Sequence, residues 1–301
     1  SLRGFTQDSS TAPTVGVYFA EVVGTRAQGG TTSGNSVGAG AFMDLQNVQV
    51  LKGPQGTLFG RNTTGGAILL TPRKPTDNLE GYVEGSIGNY AMRRLQGAIN
   101  VPLSDTFKVR FAVDRMKRDG YIINKSGIAG TAPDFNDRNY QAYRLSILAD
   151  LTPDLENYTI ASYSKSNTRG YASRITACAS PNTVPGSAGY SGTRHITALA
   201  CQEQLARQNA RGDGPYDVES SVLNPYLKIE QWQVINTTTW RASDSLTVKN
   251  IISYGEFREQ THFDLYSSNF RVPAGGFNLA NISPFLPFTA AAGTPFKYIE
   301  L

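Results

Sequence analysis

Two cysteines and two histidines set the limits of what this 301-residue chain can do chemically. Cys178 and Cys201 with His195 and His262 are too few for a Cys-rich zinc site or a His-ligated centre, so no metal is expected. Serine, histidine and aspartate never approach the pattern of a catalytic triad, and no nucleophile is paired with a base; no catalytic residue and no cofactor are assigned. A Gly-rich turn at Gly53 to Gly60 stands where a phosphate loop would cradle an anion. That loop needs G-x-x-x-x-G-K-(S/T), and here Gly60 is followed by Arg61 and Asn62. What remains is recognition chemistry. Residues 169–226 hold Arg169, Arg174, Arg194, Arg207 and Arg211 together with Tyr171, Tyr190 and Tyr216. Guanidinium groups beside aromatic rings suit anionic chelates or sugar phosphates, through charge-assisted hydrogen bonds and stacking. A solvated loop facing lipopolysaccharide would have the same composition. The net charge of +4 is small and scattered, which argues against nucleic acid as a partner.

The elements that must position these groups are strands. Charged residues are 17% of the chain, against about 25% for soluble domains. No run of 18 or more apolar residues encodes a transmembrane helix, but a barrel strand shows only alternate apolar residues and escapes that test. Up to Pro75 the chain is Gly-rich, with short strand-like runs at 14–23, 48–51 and 67–71 and a flexible loop expected at 26–40. Beyond Pro75 a strict alternation takes over. Phe107, Val109, Phe111 and Val113 share one face, and Lys108, Arg110, Ala112 and Asp114 the other. Seven such segments run over roughly 79–88, 91–102, 106–118, 138–151, 157–168, 227–242 and 245–259.

Tight polar turns at 102–105, 152–155 and 242–245 alternate with long links at about 119–137 and 169–226. All tight turns therefore lie at one end and the long loops at the other, the arrangement of an up-and-down transmembrane barrel. A soluble β-sandwich is the competing architecture, but its strands average about 5–6 residues, and these are twice as long. One face carries Glu80, Glu84, Arg94, Arg110, Asp114, Arg144 and Asp150, a mixture of signs suited to water or to a polar plug. Seven strands do not close a barrel wide enough for a plug of about 75 residues, so the chain is expected to be part of a larger one.

Asp44 to Pro75 reads DLQNVQVLKGPQGTLFGRNTTGGAILLTPRKP. This segment resembles the plug signature of the TonB-dependent outer-membrane receptors at Leu51, Lys52, Gly53, Pro54, Gly56, Leu58, Phe59, Gly60, Gly65, Gly66 and Ile68. Leu2 to Phe5 and Val15 to Phe19 look like earlier plug strands of the same family. Gln49 stands where the family commonly has Glu, and Ala20-Glu21 replaces a usual Asp-Gly turn. The resemblance implies a mainly β protein, with a small plug of mixed strands and Gly-rich loops at 1–76, incomplete at its start. It also implies that 77–301 is the first part of an antiparallel transmembrane β-barrel, about seven strands of about 22. It further implies energy-coupled uptake of a scarce nutrient, most often a ferric siderophore, through the bacterial outer membrane.

An oligosaccharide or a cobalamin-like ligand is the alternative within the family, and a soluble β-rich binding module the alternative outside it. Expected partners are the ligand, outer-membrane lipid and lipopolysaccharide, and TonB acting on an N-terminal segment not contained in this sequence. Phe59 and Arg61 on the plug, Arg26 in a second apex, and Tyr171 and Arg174 in the long loop are the candidate ligand contacts. Lys52 and Arg61 could instead pair with carboxylates of the barrel wall. In an exported protein Cys178 and Cys201 are expected to form a disulfide, worth about 3 kcal/mol by chain entropy.

Overall fold

A computed structural model describes residues 14–28, 33–36, 38–178, 192–263, 269–270, 277–278 and 289–290. The chain falls into two compact units, one of residues 1–119, 138–168 and 227–261, the other of 120–137, 169–226 and 262–301.

The first unit begins with β1 (Val15–Phe19), β2 (Val22–Val23), β3 (Thr25–Gln28), β4 (Ser33–Ser36), β5 (Leu45–Lys52), the single helical turn α1 (Gly56–Phe59) and β6 (Gly66–Pro72). Strands β2-β1-β6-β5 form one sheet, with β1 parallel to β6 and β5 antiparallel to it. The stretch 14–23 is thus not one strand but a hairpin. Ala20 and Glu21 turn it with φ of 48° and 68°, both left-handed, as the twist of a two-residue hairpin demands even without glycine or asparagine. The loop expected at 26–40 contains a second hairpin, in which β3 and β4 pair Thr25 with Ser36 and Arg26 with Asn35. Backbone pairing there overrode a Gly-rich composition that reads as loop.

The wall follows: β7 (Glu80–Gly88), β8 (Met92–Ser104) and β9 (Phe107–Arg118), then, after two strands of the second unit, β12 (Arg138–Thr152), β13 (Leu155–Thr168), β15 (Tyr226–Ser243) and β16 (Leu246–His262). They form one antiparallel seven-stranded sheet in the order β16-β15-β13-β12-β9-β8-β7, open at both edges among the described residues. All seven segments expected from alternation are present. Register shows why the alternation was needed: Tyr82, Ala98, Ala112, Arg144, Ser162 and Gln233 form one row facing the plug. The neighbouring row, Gly81, Ile99, Phe111, Leu145, Ala161 and Val234, faces away.

Plug and wall share two apolar contacts. Phe19, Ala41 and Leu70 of the plug pack on Leu148, Tyr158, Ile160 and Ile235, and Met43 packs on Ala98, Ala112 and Ala142. Small wall residues let the plug backbone come close. Gly40, at φ 75°, could not carry a side chain, because its Cβ would lie 2.3 Å from the Ala142 Cβ.

The second unit contains β10 (Ile122–Asn124), β11 (Asp134–Phe135), α2 (Gly192–Arg211) and β14 (Asp217–Val218), together with the two-residue strands β17 (Phe277–Asn278) and β18 (Thr289–Ala290). Strands β11-β10-β14 make a small sheet over a core of Ala132, Phe135, Ala172 and Val218. Cys178 and Cys201 are joined by a disulfide, Cα to Cα 5.9 Å, which ties α2 to the chain before it.

Gly40→Ala is expected to lower the thermal unfolding midpoint of the detergent-solubilised protein. Overpacking contributes about 1–3 kcal/mol and the left-handed backbone about 1–2 kcal/mol. Gly127→Ala, at φ 69° with nothing within 4 Å of its Cβ, carries only the backbone penalty and serves as the control. Equal midpoints for the two variants would show that plug and wall do not meet at Gly40.

Candidate functional site

The plug is held to the wall by a buried carboxylate. Asp44 ends the turn that begins at Gly38 and adopts φ 47°, which leaves β5 to start directly behind it. Arg110 on β9 grips it with both ends of its fork, Nε to Oδ2 at 2.7 Å and Nη2 to Oδ1 at 2.6 Å. Arg144 on β12 donates to the backbone oxygens of Met43 (2.6 Å) and Asp44 (2.8 Å), lies 3.7 Å from the Asp44 carboxylate, and covers the Phe19 ring at 5.4 Å. All three charged side chains are only 2% exposed. Such a bidentate pair is strong because both its hydrogen bonds are charge-assisted and water is excluded.

Other ion pairs ring this centre. Lys74 meets Glu156 at 2.7 Å and sits over the Tyr158 ring, Lys108 bridges Asp77 and Asp150, and Lys249 pairs with Glu21 of the β1–β2 turn. Arg94 binds Asp114 bidentately, and Tyr140 donates to the same carboxylate. Of the mixed charges expected on the inner face, all but Glu84 stand in specific ion pairs among the described residues, with Arg110 and Arg144 binding the plug. Asp44 itself was missed. Its only sequence signal was its place as first residue of the plug signature, opposite a wall rich in arginine.

The signature folds into a closed, hydrogen-bonded segment. Gly53 and Gly60 adopt φ of 95° and 74°, the Gln55 amide donates to the Thr63 carbonyl, the Gly53 amide to that of Gly65, and the Thr63 hydroxyl to that of Gly60. Phe59 is half-buried: its ring packs on Tyr18 at 4.9 Å and its carbonyl accepts the Tyr18 hydroxyl at 2.6 Å. Burial pushes the Tyr18 phenol above its ordinary value, so it stays a proton donor. Arg61 is exposed and opens onto a cleft bounded by Pro54, Gly56, Gly60 and Asn62. Among the described residues, Lys52 and Arg61 form no ion pair with the wall.

Phe59 and Arg61 thus share one turn of the plug, and Arg26 lies in its β3–β4 hairpin. The other candidates belong to the second unit. There the Tyr171 ring lies 5.7 Å from that of Phe263, tilted to it, and Arg174 donates to the Asp213 carbonyl at 3.0 Å. Several loop arginines are committed to holding the loop together. Arg169 pairs with Asp134 at 2.5 Å, Arg207 with Glu219 at 3.2 Å, and Arg211 with both Asp213 and Glu219. Those two carboxylates raise the Arg211 guanidinium above its ordinary value. Tyr190 and the Arg194 side chain lie outside the described residues.

No family model matches the chain. Among curated proteins it is 35% identical to the pesticin receptor of Yersinia pestis over 65 residues, 22% of this chain and 10% of that protein. It is 32% identical to the ferrioxamine B receptor of Salmonella typhimurium over 117 residues, 39% and 16% of the two. It is 27% identical to the catecholate siderophore receptor Fiu of Escherichia coli over 168 residues, 47% and 22%. Of solved structures, the ferric yersiniabactin uptake receptor of Yersinia pestis superposes with a TM-score of 0.60 at 18% identity, covering 87% of this chain and 35% of that one. The ferripyoverdine receptor of Pseudomonas aeruginosa does so with 0.58 at 14%, covering 84% and 29%. This likeness establishes the fold, a plug against a stretch of barrel wall. The chain spans between a tenth and about a third of the proteins it matches.

Removing the Asp44 carboxylate would leave Arg110 with only Glu80, 3.6 Å from its Nη1, and Arg144 with backbone oxygens alone. Asp44→Ala in the intact protein is expected to destabilise plug docking by about 3–5 kcal/mol. Limited proteolysis in detergent would then cut the plug while the barrel still migrates as folded. Exchanging the pair for apolar groups (Asp44→Leu with Arg110→Met) should restore part of the resistance, since Arg144 then keeps only the Met43 and Asp44 carbonyls. A plug as protected in Asp44→Ala as in the unaltered protein would refute the clamp.

Proposed function

We propose, from the premise that this chain belongs to the TonB-dependent outer-membrane receptors, that it supplies the plug and the first part of the barrel wall of a receptor for ferric siderophores. The plug is taken as 1–76 and the wall as 77 onward. The observation that carries this reading is the plug itself, in which the Gly53–Gly66 segment is closed by backbone hydrogen bonds and the Asp44 carboxylate, at the other end of β5, is clamped to the wall. A wedge held to the wall by a few specific ion pairs and two apolar contacts can be displaced without unfolding the wall.

Two of the curated relatives are, by name, receptors for chemically different chelates, ferrioxamine B and catecholate siderophores. The cargo class of these two, an iron chelate, is what we assign here. Ligand contact is assigned to Arg61 and Phe59 at the plug turn, to Arg26 of the plug hairpin, and to Tyr171 and Arg174 of the long loop. Arg61 has an open cleft before it and no carboxylate partner among the described residues, so an anionic chelate can accept its fork. The driving force is assigned to TonB, pulling on the chain ahead of the plug. Binding and passage need no bond to be made or broken, so no catalytic group is required.

Outer membranes of the source cells should contain this chain at higher abundance after iron starvation, as quantitative proteomics would show. In the intact receptor, titrated with ferrioxamine B, a ferric catecholate and ferripyoverdine, Arg61→Ala should weaken one of them by about tenfold, the effect of one lost charge-assisted contact. The unfolding midpoint should not move. Unchanged affinity for all three with a lowered midpoint would make Arg61 structural. Absence from the outer membrane would sink the function.

A further inference from the structure

The two long links that leave the wall, 119–137 and 169–226, fold as one body within the second unit. Strand β10 of the first lies parallel to β14 of the second, Ile123 beside Asp217 and Asn124 beside Val218, and an antiparallel bridge joins Thr131 to Leu223. Ala132 and Phe135 of the first link close an apolar core with Ala172 and Val218 of the second. The start of the second link is also strapped to the end of the first. The Asn136 amide donates to the Gly170 carbonyl at 2.8 Å, the Arg169 amide to the Asp137 carboxylate at 2.8 Å, and the Arg169 guanidinium pairs with Asp134.

One side chain grips both links at once. The Asn124 carboxamide finds, at each of its ends, one partner in each link. Its Nδ2 donates to the Ala132 carbonyl at 2.9 Å and to the Ser220 carbonyl at 3.1 Å. Its Oδ1 accepts the Ser126 amide at 3.1 Å and the Ser220 amide at 2.9 Å. Both N–H groups and both lone pairs of the carboxamide are thereby used. Aspartate, of the same shape, would turn an acceptor against two carbonyls. Ser126, Ala132 and Ser220 are buried, so backbone groups released by a shorter side chain have no ready exchange with water.

Tyr171 and Arg174, the cargo contacts assigned to the longer link, flank Ala172 of the shared core, and the Gly170 carbonyl and Arg169 just before them are held by the shorter link. That shorter link supplies no cargo contact of its own. Resting on the receptor reading, we infer that Asn124 is a positioning residue: it fastens the two links together and so sets Tyr171 and Arg174 in place before a ferric chelate arrives. Strand pairing, core and carboxamide network must be lost together for the links to part, which makes parting a local unfolding event. A lid hinged between the links would share few buried contacts instead. Cargo is therefore admitted and released with these two links still joined.

The test uses the intact receptor in detergent, with ferrioxamine B, a ferric catecholate and ferripyoverdine as probes. Asn124→Ala should weaken the chelate that binds by about tenfold, the loss expected when roughly one molecule in ten keeps the joined body. Amide hydrogen exchange at 122–124 and 217–220 should quicken together. Thr131→Cys with Leu223→Cys supplies a rescue. The Asn224 amide donates to the Gly130 carbonyl, so Thr131 and Leu223 are a non-hydrogen-bonded pair, about 4.5 Å apart at Cα and within reach of a disulfide. That bridge should restore the affinity of Asn124→Ala, and in the otherwise unaltered receptor it should leave affinity and cellular uptake as they were. Unchanged affinity in Asn124→Ala, affinity not restored by the bridge, or uptake lost in the bridged receptor but in neither single-cysteine variant would each overturn the positioning role. A receptor that binds none of the three probes overturns the cargo reading itself, and exchange that quickens in one link alone overturns the joined body whichever chelate binds.

Discussion

A carboxylate that must not lose its partners organises the first unit. Asp44, Arg110 and Arg144 are all nearly sealed from water, and each would be costly to bury alone. Their mutual satisfaction fixes three things together. It sets the depth at which the plug sits, because the Met43 and Asp44 carbonyls must reach Arg144. It sets the turn, because Asp44 has to take a left-handed backbone to point at β9. It also limits side-chain size nearby, because Gly40, Ala98, Ala112 and Ala142 must let the turn approach the sheet.

The wall was legible in the sequence because its two faces meet different surroundings. Alternation over twelve or more residues survives only where one face is apolar throughout and the other polar, and every one of the seven segments was visible on that ground. The exceptions on the outward face explain themselves. Asn157, Thr159, Asn236 and Thr238 sit at outward positions between Trp240 and Trp232, and they hydrogen-bond to one another across β13 and β15. Side chains that cannot count on water satisfy one another across the strand pair, and the cluster locks register as it does so.

The parts that escaped sequence reasoning lack such a contrast. Helix α2 reads blank because its buried stripe is Ala200, Gln204 and Gln208, an i, i+4 series two-thirds polar that no hydrophobic pattern could reveal. The β3–β4 hairpin is hidden by its Gly and Ser residues, which carry no alternation although the backbone pairs. The β1–β2 turn uses Ala20 and Glu21 at left-handed angles where glycine or asparagine would have signalled it; the Ala20 amide bound to the Leu70 carbonyl and the Glu21–Lys249 pair offset that strain. Asp44 escaped for a different reason. One acid in a Gly-rich stretch has no local pattern, and its partners lie 66 and 100 residues away.

The same ion pairs that hold the plug would make any release of it cooperative. At 4 Å two opposite charges attract by about 4 kcal/mol where the effective dielectric is near 20, but by only about 1 kcal/mol in water. Small displacements that keep water out meet the full restoring force of the Arg110 fork. Once the turn at Gly40 lifts from Ala142 and water enters, the carboxylate and both guanidinium groups are rehydrated, and the attraction falls to about a quarter. The apolar contacts of Phe19 and Leu70 with Ile160 and Ile235 decline more gradually, in proportion to area exposed. A plug fastened this way resists thermal fluctuation and yields to a sustained pull, because the charged clamp loses most of its grip in one step while the apolar patch still guides the segment along the wall.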